Sequence, residues 1–266
     1  MLSVAVRASQ RVFFGVSALI FTATAALTIA WSAAMSSMGG MPMPGGWTMS
    51  MTWMRMPGQT WLGAAASFLG MWVVMMAAMM LPSLFRMLWR YREAMVRAAD
   101  DRSPDRLTAL AGAGYFFVWT AVGFAVFVLG VAAASMAMAY PALARTAPFW
   151  AAAVVLAAGA LQFTKWKARQ LACCREFPGH DPTPAARPVA AWRYGLGLGL
   201  HCSLCCAGLT AILVVAGIMD LRAMAAVTVA ITLERLAPHP ERVVRAIGSV
   251  AVAGALLLMA RAAGLG

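Results

Sequence analysis

Three cysteines and a histidine fall within six residues in the run Gly199-Leu200-His201-Cys202-Ser203-Leu204-Cys205-Cys206. On a helix advancing about 100° per residue, His201 and Cys205 share one face at i and i+4, and Cys202 and Cys206 form a second such pair beside it. Four soft or borderline ligands on one side of a helix suffice for two- or three-coordinate Cu(I), or for Zn(II) with one further ligand, copper being the better match to thiolates. A single buried cysteine would need no explanation, and a histidine can satisfy itself against a carbonyl. Four such groups inside an apolar run point instead to a metal or redox role. The order His-Cys-x-x-Cys is the reverse of the c-type haem attachment order. The vicinal pair Cys173-Cys174 could complete the site, form an exit station, or be inert interfacial thiols.

A second set of soft ligands precedes the first. Met71, Met75 and Met79 recur at four-residue spacing, with Met76 and Met80 on an adjoining strip. Residues four apart stack on a helix face, so sulfurs from successive turns could pass one soft cation along it. Methionine also fills core gaps well, and such a stripe taken alone reads as ordinary packing. Its position gives it value, because it begins where a Met-rich segment ends. That segment carries Met35, Met38, Met41, Met43, Met49, Met51, Met54 and Met56, and in it Met41-Pro42-Met43, Met49-Ser50-Met51 and Met54-Arg55-Met56 form Met-x-Met units. In an extended chain both sulfurs of such a unit project to one side, so a flexible loop could wrap two or three of them around Cu(I). The competing reading is apolar Met lying at the membrane interface beside Trp47, Trp53 and Trp61.

The elements that must position these groups are membrane helices. The chain is 62% hydrophobic and only 11% charged, with a mean hydropathy of +0.77, which places it among integral membrane proteins. Apolar windows of the length a bilayer needs run over about 12–34, 61–84, 110–138, 148–164, 194–219, 221–236 and 243–260. These predict an all-α, polytopic bundle of about seven spans forming one domain over residues 1–266. The sixth span is short, and Glu234, Arg235 and Pro238 crowd its end. A long first apolar stretch favours an anchor over a cleaved signal peptide.

The formal charge of +12 would suggest nucleic acid in a soluble protein. Here nearly all of the Arg and Lys flank apolar spans, so they read as topology signals and no nucleic-acid partner is expected. An N-in orientation makes cytoplasmic the stretches with Arg7 and Arg11, with Arg86 to Arg106, with Lys165 to Arg193, and with Arg235, Arg242 and Arg245. The loop 35–59 is then periplasmic, the Pro-rich stretch 178–188 a cytoplasmic linker, and the lipid bilayer of the bacterial inner membrane the surrounding medium. Five Cys, all near the reducing side, make a disulfide framework improbable. The series Gly195-x-Gly197-x-Gly199 lies inside a span and predicts close helix packing, not a dinucleotide loop. Glu234 faces either Arg235 or a neighbouring helix, or is an interfacial charge.

Met71-Trp72-Val73-Val74-Met75-Met76-Ala77-Ala78-Met79-Met80-Leu81-Pro82, together with His201-Cys202-Ser203-Leu204-Cys205-Cys206 and Leu233-Glu234-Arg235, resembles the bacterial predicted metal-binding integral membrane proteins of domain-of-unknown-function family 2182. The likeness covers about residues 63–258. It implies a helical membrane protein whose metal site falls on Met75, Met79, His201, Cys202, Cys205 and Cys206, with a link to copper handling. A looser likeness to eukaryotic copper-uptake proteins, which also place Met-rich outer segments before a Met-x-x-x-Met span, reads as convergence because this chain has too many spans.

The resulting expectation is a carrier, more than an enzyme, that captures Cu(I) at Met41, Met43, Met49, Met51, Met54 and Met56. It would move the ion along Met71, Met75 and Met79 and hold or deliver it at the His-Cys cluster. A periplasmic copper protein or a cuproenzyme would be the partner, and oligomers are compatible. The alternatives are a membrane thiol or metal oxidoreductase and an assembly subunit of a larger membrane complex.

Overall fold

The computed structural model describes residues 2–37, 39–56, 58–97, 103–176 and 187–264. Eight helices carry the described chain: α1 (Leu2–Ser37), α2 (Trp61–Arg97), α3 (Pro104–Ala139), α4 (Pro141–Leu161), α5 (Lys165–Glu176), α6 (Pro188–Ala216), α7 (Leu221–Leu236) and α8 (Pro240–Ala262). A hairpin of β1 (Gly40–Met43) and β2 (Trp47–Ser50), followed by a 3-10 turn at Met51–Trp53, separates α1 from α2. Four of the helices begin on proline, at Pro104, Pro141, Pro188 and Pro240, where the missing N–H is one of the groups a helix start leaves unbonded. Asp220 caps α7 by accepting from the backbone N–H groups of Arg222 and Ala223.

The expected all-α membrane bundle is what the chain forms, although its helices overrun the apolar windows. Six of them, α1, α2, α3, α4, α6 and α8, are long and apolar enough to cross a membrane. The expected sixth span, α7, has 16 residues, or about 24 Å of rise, short of the roughly 30 Å of a bilayer core. It nevertheless doubles back between its neighbours. Its start lies where Ser32 of α1 reaches the carbonyl of Met219, and its end lies where Arg175 of α5 donates to the carbonyls of Glu234 and Ala237.

Two of the expected cytoplasmic loops are also helical. Arg86, Arg90 and Arg92 ride on a continuation of α2, and the stretch after Lys165 is the separate helix α5 packed on α6 and α7. The first part of the expected linker, 178–186, lies outside the described residues, and Arg187 and Pro188 already belong to the start of α6.

The core sits where α3 and α6 press together. A Cβ added at Gly195 would lie 2.1 Å from the carbonyl oxygen of Ala111, and one at Gly199 would lie 2.9 Å from that of Tyr115. No side chain fits either contact without moving backbone, so these glycines set the helix separation as the Gly series predicts. Against this pair α2 lays its Trp72, Met75, Met76, Met79 and Met80, all buried.

Candidate metal centre

Cys202, Cys205 and Cys206 are all buried on the inner face of α6, at 1%, 2% and 1% exposure. Cys174 reaches them from α5, donating to the sulfurs of Cys202 and Cys205. That hydrogen bonding, reinforced by burial, pushes the Cys174 thiol well above the ordinary range, so it stays protonated in this arrangement. Four sulfurs from two helices thus meet in one place. His201 is half-buried at the margin of that face, its Nδ1 paired with the carbonyl of Gly197 at 2.8 Å, and Cys173 is exposed.

The fifth helix to reach the thiols is α7, through a residue that sequence reasoning treated as a topology signal. Arg235, 7% exposed, donates from Nη2 to the sulfurs of Cys202 at 2.9 Å and Cys206 at 3.2 Å. Its Nη1 donates to Ser83 Oγ at 2.8 Å, and the hydroxyl of Tyr115 on α3 lies 2.9 Å from the Cys202 sulfur. A guanidinium placed on two sulfurs favours their thiolate form, because the charge-assisted bond is worth most where the surroundings are apolar.

Glu234, next to Arg235, points elsewhere, since neighbours on a helix diverge by about 100°. It meets Lys167 of α5 at 2.7 Å and accepts from Gln162 Nε2 at 3.0 Å. Lys167 Nζ also donates to the carbonyl of Cys205 at 2.7 Å, tying the ion pair to the thiol helix. Of the alternatives for Glu234, the structure therefore selects a neighbouring helix. The signal that pointed to both residues was a pair of charges at the end of an apolar run, where each needs a partner.

The methionine ladder leads to this place. Met71, Met75 and Met79 lie on one strip of α2, and the next residue on it, Ser83, is the one that accepts from Arg235. Met75, Met76, Met79 and Met80 belong to the same contiguous core as the four sulfurs, while Met71 is partly buried against it. Pro82 lies inside α2 and removes the donor that would reach the carbonyl of Ala78. Above the ladder, Trp53, Phe68 and Trp72 stack with ring centroids 5.5 and 5.9 Å apart, and Trp72 Nε1 donates to the carbonyl of Trp119.

The Met-rich segment is folded, not a flexible coil. Gly45 and Gly46 take positive φ in the turn, and the strands pair Met41 with Met49 and Met43 with Trp47. Alternation puts Met41, Met43, Trp47 and Met49 on one face. That face turns inward: Met49 is buried, Met41 and Met43 are half-buried, and Trp47 Nε1 donates to the carbonyl of Ala144 on α4. Packing therefore accounts for Met49, while Met51 and Met54 are half-buried and Met56 is exposed. Met38 lies outside the described residues.

Among the described residues no three His, Cys, Asp or Glu side chains are arranged to hold one ion. The sulfurs are engaged with one another, with Tyr115 and with Arg235. A four-coordinate zinc site is thus not prebuilt, whereas two-coordinate Cu(I) needs only two thiolates, with thioethers close by as weaker donors.

No curated protein and no solved structure matches the chain. A family model described as PpoB2, copper chaperone, matches residues 69–258, well over half of the sequence. The matched stretch holds the Met ladder, the thiols and Arg235, and it leaves the hairpin outside. The expected kinship with a metal-binding membrane family holds at the level of copper. A multi-pass helical membrane protein with this match belongs to the copper chaperone family.

Proposed function

We propose that the protein is a Cu(I) carrier of the bacterial inner membrane that collects the ion at the hairpin end, passes it down α2, and holds it on α6 thiolates for delivery to a cuproenzyme. The observation that supports this most is the junction at Ser83. There the strip of Met71, Met75 and Met79 ends on the hydroxyl that Arg235 shares with the sulfurs of Cys202 and Cys206. A soft cation moving from thioethers to thiolates moves toward stronger ligands, which gives the route its direction. Cys205 and Cys174, close to the other two sulfurs, are the groups to which the ion would next exchange. The charge distribution supports a periplasmic hairpin end, because Arg86, Arg90, Arg92, Lys165, Lys167, Arg169 and Arg175 lie toward the other end of the bundle.

Purified protein loaded anaerobically with Cu(I) is expected to show short copper–sulfur scattering in X-ray absorption, with no nitrogen or oxygen shell. A nitrogen shell would return His201 to the ligand set, and an absence of bound copper would remove the carrier reading.

The hairpin carries a separate expectation. Exchanging Met41, Met43, Met49, Met51, Met54 and Met56 for Leu keeps apolarity and roughly conserves volume, at about 1 kcal/mol or less per buried site. Cells carrying this variant should accumulate copper more slowly at limiting supply, while the purified variant still fills at saturating Cu(I). Equal accumulation rates would make the hairpin a cap that only packs on α3 and α4.

A further inference from the structure

We propose that Arg235 sets the valence preference of the thiol site, so that it accepts a monovalent soft cation over a divalent one. This rests on the reading of Cys202 and Cys206 as the holding ligands and adds a selectivity device to it. The charges facing the site can be counted from every element packed on it. Arg235 is buried and lies on both sulfurs. Lys167 and Glu234 form a buried pair at 2.7 Å and cancel. Arg175 is half-buried and directed at the carbonyls of Glu234 and Ala237. Tyr115 and Ser83 bring neutral hydroxyls.

Two thiolates, one Cu(I) and one guanidinium make a neutral cluster. Two thiolates, one divalent ion and the same guanidinium leave a net positive charge in an apolar core, where an unbalanced charge is strongly disfavoured. A divalent ion reaches neutrality only by deprotonating a third thiol. Among the described residues no three such groups are set to hold an ion together. Softness alone favours Cu(I) at thiolates; the buried guanidinium adds a second, electrostatic filter that zinc fails on charge. The same cation explains how two adjacent thiolates are tolerated at this depth before any ion arrives.

The test uses the full-length protein in detergent, titrated separately with Cu(I) against a colorimetric Cu(I) chelator and with Zn(II) against a colorimetric Zn(II) chelator. Arg235→Met keeps length and removes the charge. It is expected to weaken Cu(I) binding roughly 100-fold, the scale of stranding one partner of a buried charge pair, while Zn(II) binding holds or strengthens. Arg235→Lys should keep most of the Cu(I) preference. Placing the charge on α2 instead, with Ser83→Lys in the Arg235→Met background, should restore it, because Ser83 Oγ already lies 2.8 Å from the guanidinium. If Arg235→Met lowers Cu(I) and Zn(II) affinity by the same factor, or lowers neither, Arg235 is not a valence filter. If Arg235→Met does not fold, the Lys variant and the relocated charge still decide, since a loss of Cu(I) preference in both overturns the proposal. Failure of the underlying reading looks different: wild-type Cu(I) affinity would then be unaffected by Cys202→Ser and Cys206→Ser, whatever Arg235 does.

Discussion

Replacing Cys202 and Cys206 together by Ser is expected to abolish stoichiometric copper in the purified protein while leaving the bundle folded. A hydroxyl is a hard, neutral donor that holds Cu(I) poorly, so the change removes ligation at nearly constant shape. The fold should survive because Ser can still accept from Arg235, which sits 2.9 and 3.2 Å from the two sulfurs it replaces. An Ala pair would instead strand a buried guanidinium and confuse lost ligation with lost stability. Cys173→Ser is the matched control, since that thiol is exposed and outside the cluster. Metal analysis of the two variants side by side decides the matter. Copper retained in the double variant would move the holding site to Cys174 and Cys205, or out of α6 altogether.

The bundle was legible because the bilayer demands long apolar runs, and such runs stand out in a chain with so few charges. What the apolar windows could not show is where helices continue past the membrane. α2 has 37 residues, about 55 Å of rise, and its Arg-bearing end remains helical because Leu84, Met87, Tyr91 and Met95 still bury an apolar stripe there. The hairpin was legible in principle. Met41, Met43, Trp47 and Met49 follow a period of two around a Gly-Gly turn, but the wealth of Gly and Pro reads equally as a loose coil until a surface is present for Met49 and Trp47 to pack against.

The thiols of α6 could be found from their density alone. Their exact face could not, because the i, i+4 pairing of His201 with Cys205 treats all four groups alike. By angle, Cys202 lies between Cys205 and Cys206, and His201 falls roughly 90° from the centre of the three, which is why it ends half-buried at the edge. Arg235 was hidden for a different reason. A charge beside a charge invites pairing in sequence, yet the helix sends Glu234 to Lys167 and Arg235 to the sulfurs, and only tertiary contact reveals which partner each one finds.

The Lys167–Glu234 pair should be the most sensitive point of the fold outside the thiols. Both side chains are nearly excluded from solvent, at 5% and 1% exposure, and their atoms lie 2.7 Å apart. Each has one further anchor: Gln162 donates to the carboxylate and the ammonium donates to the carbonyl of Cys205. Glu234→Leu leaves an uncompensated ammonium against the thiol helix, and Lys167→Met leaves an uncompensated carboxylate. Each is expected to destabilise the folded protein by about 3–5 kcal/mol, the cost of removing one partner of a buried ion pair. The double variant Lys167→Met with Glu234→Leu should recover most of that loss, because two apolar side chains of similar volume strand no charge. Thermal unfolding in detergent of the four proteins gives the coupling directly. If either single variant unfolds within about 1 kcal/mol of wild type, the magnitude typical of exposed pairs, water reaches the pair and it is not part of the buried core. If the double variant is as unstable as the singles, the Gln162 and Cys205 contacts carry the stability, and α5 is held to α6 through them rather than through charge.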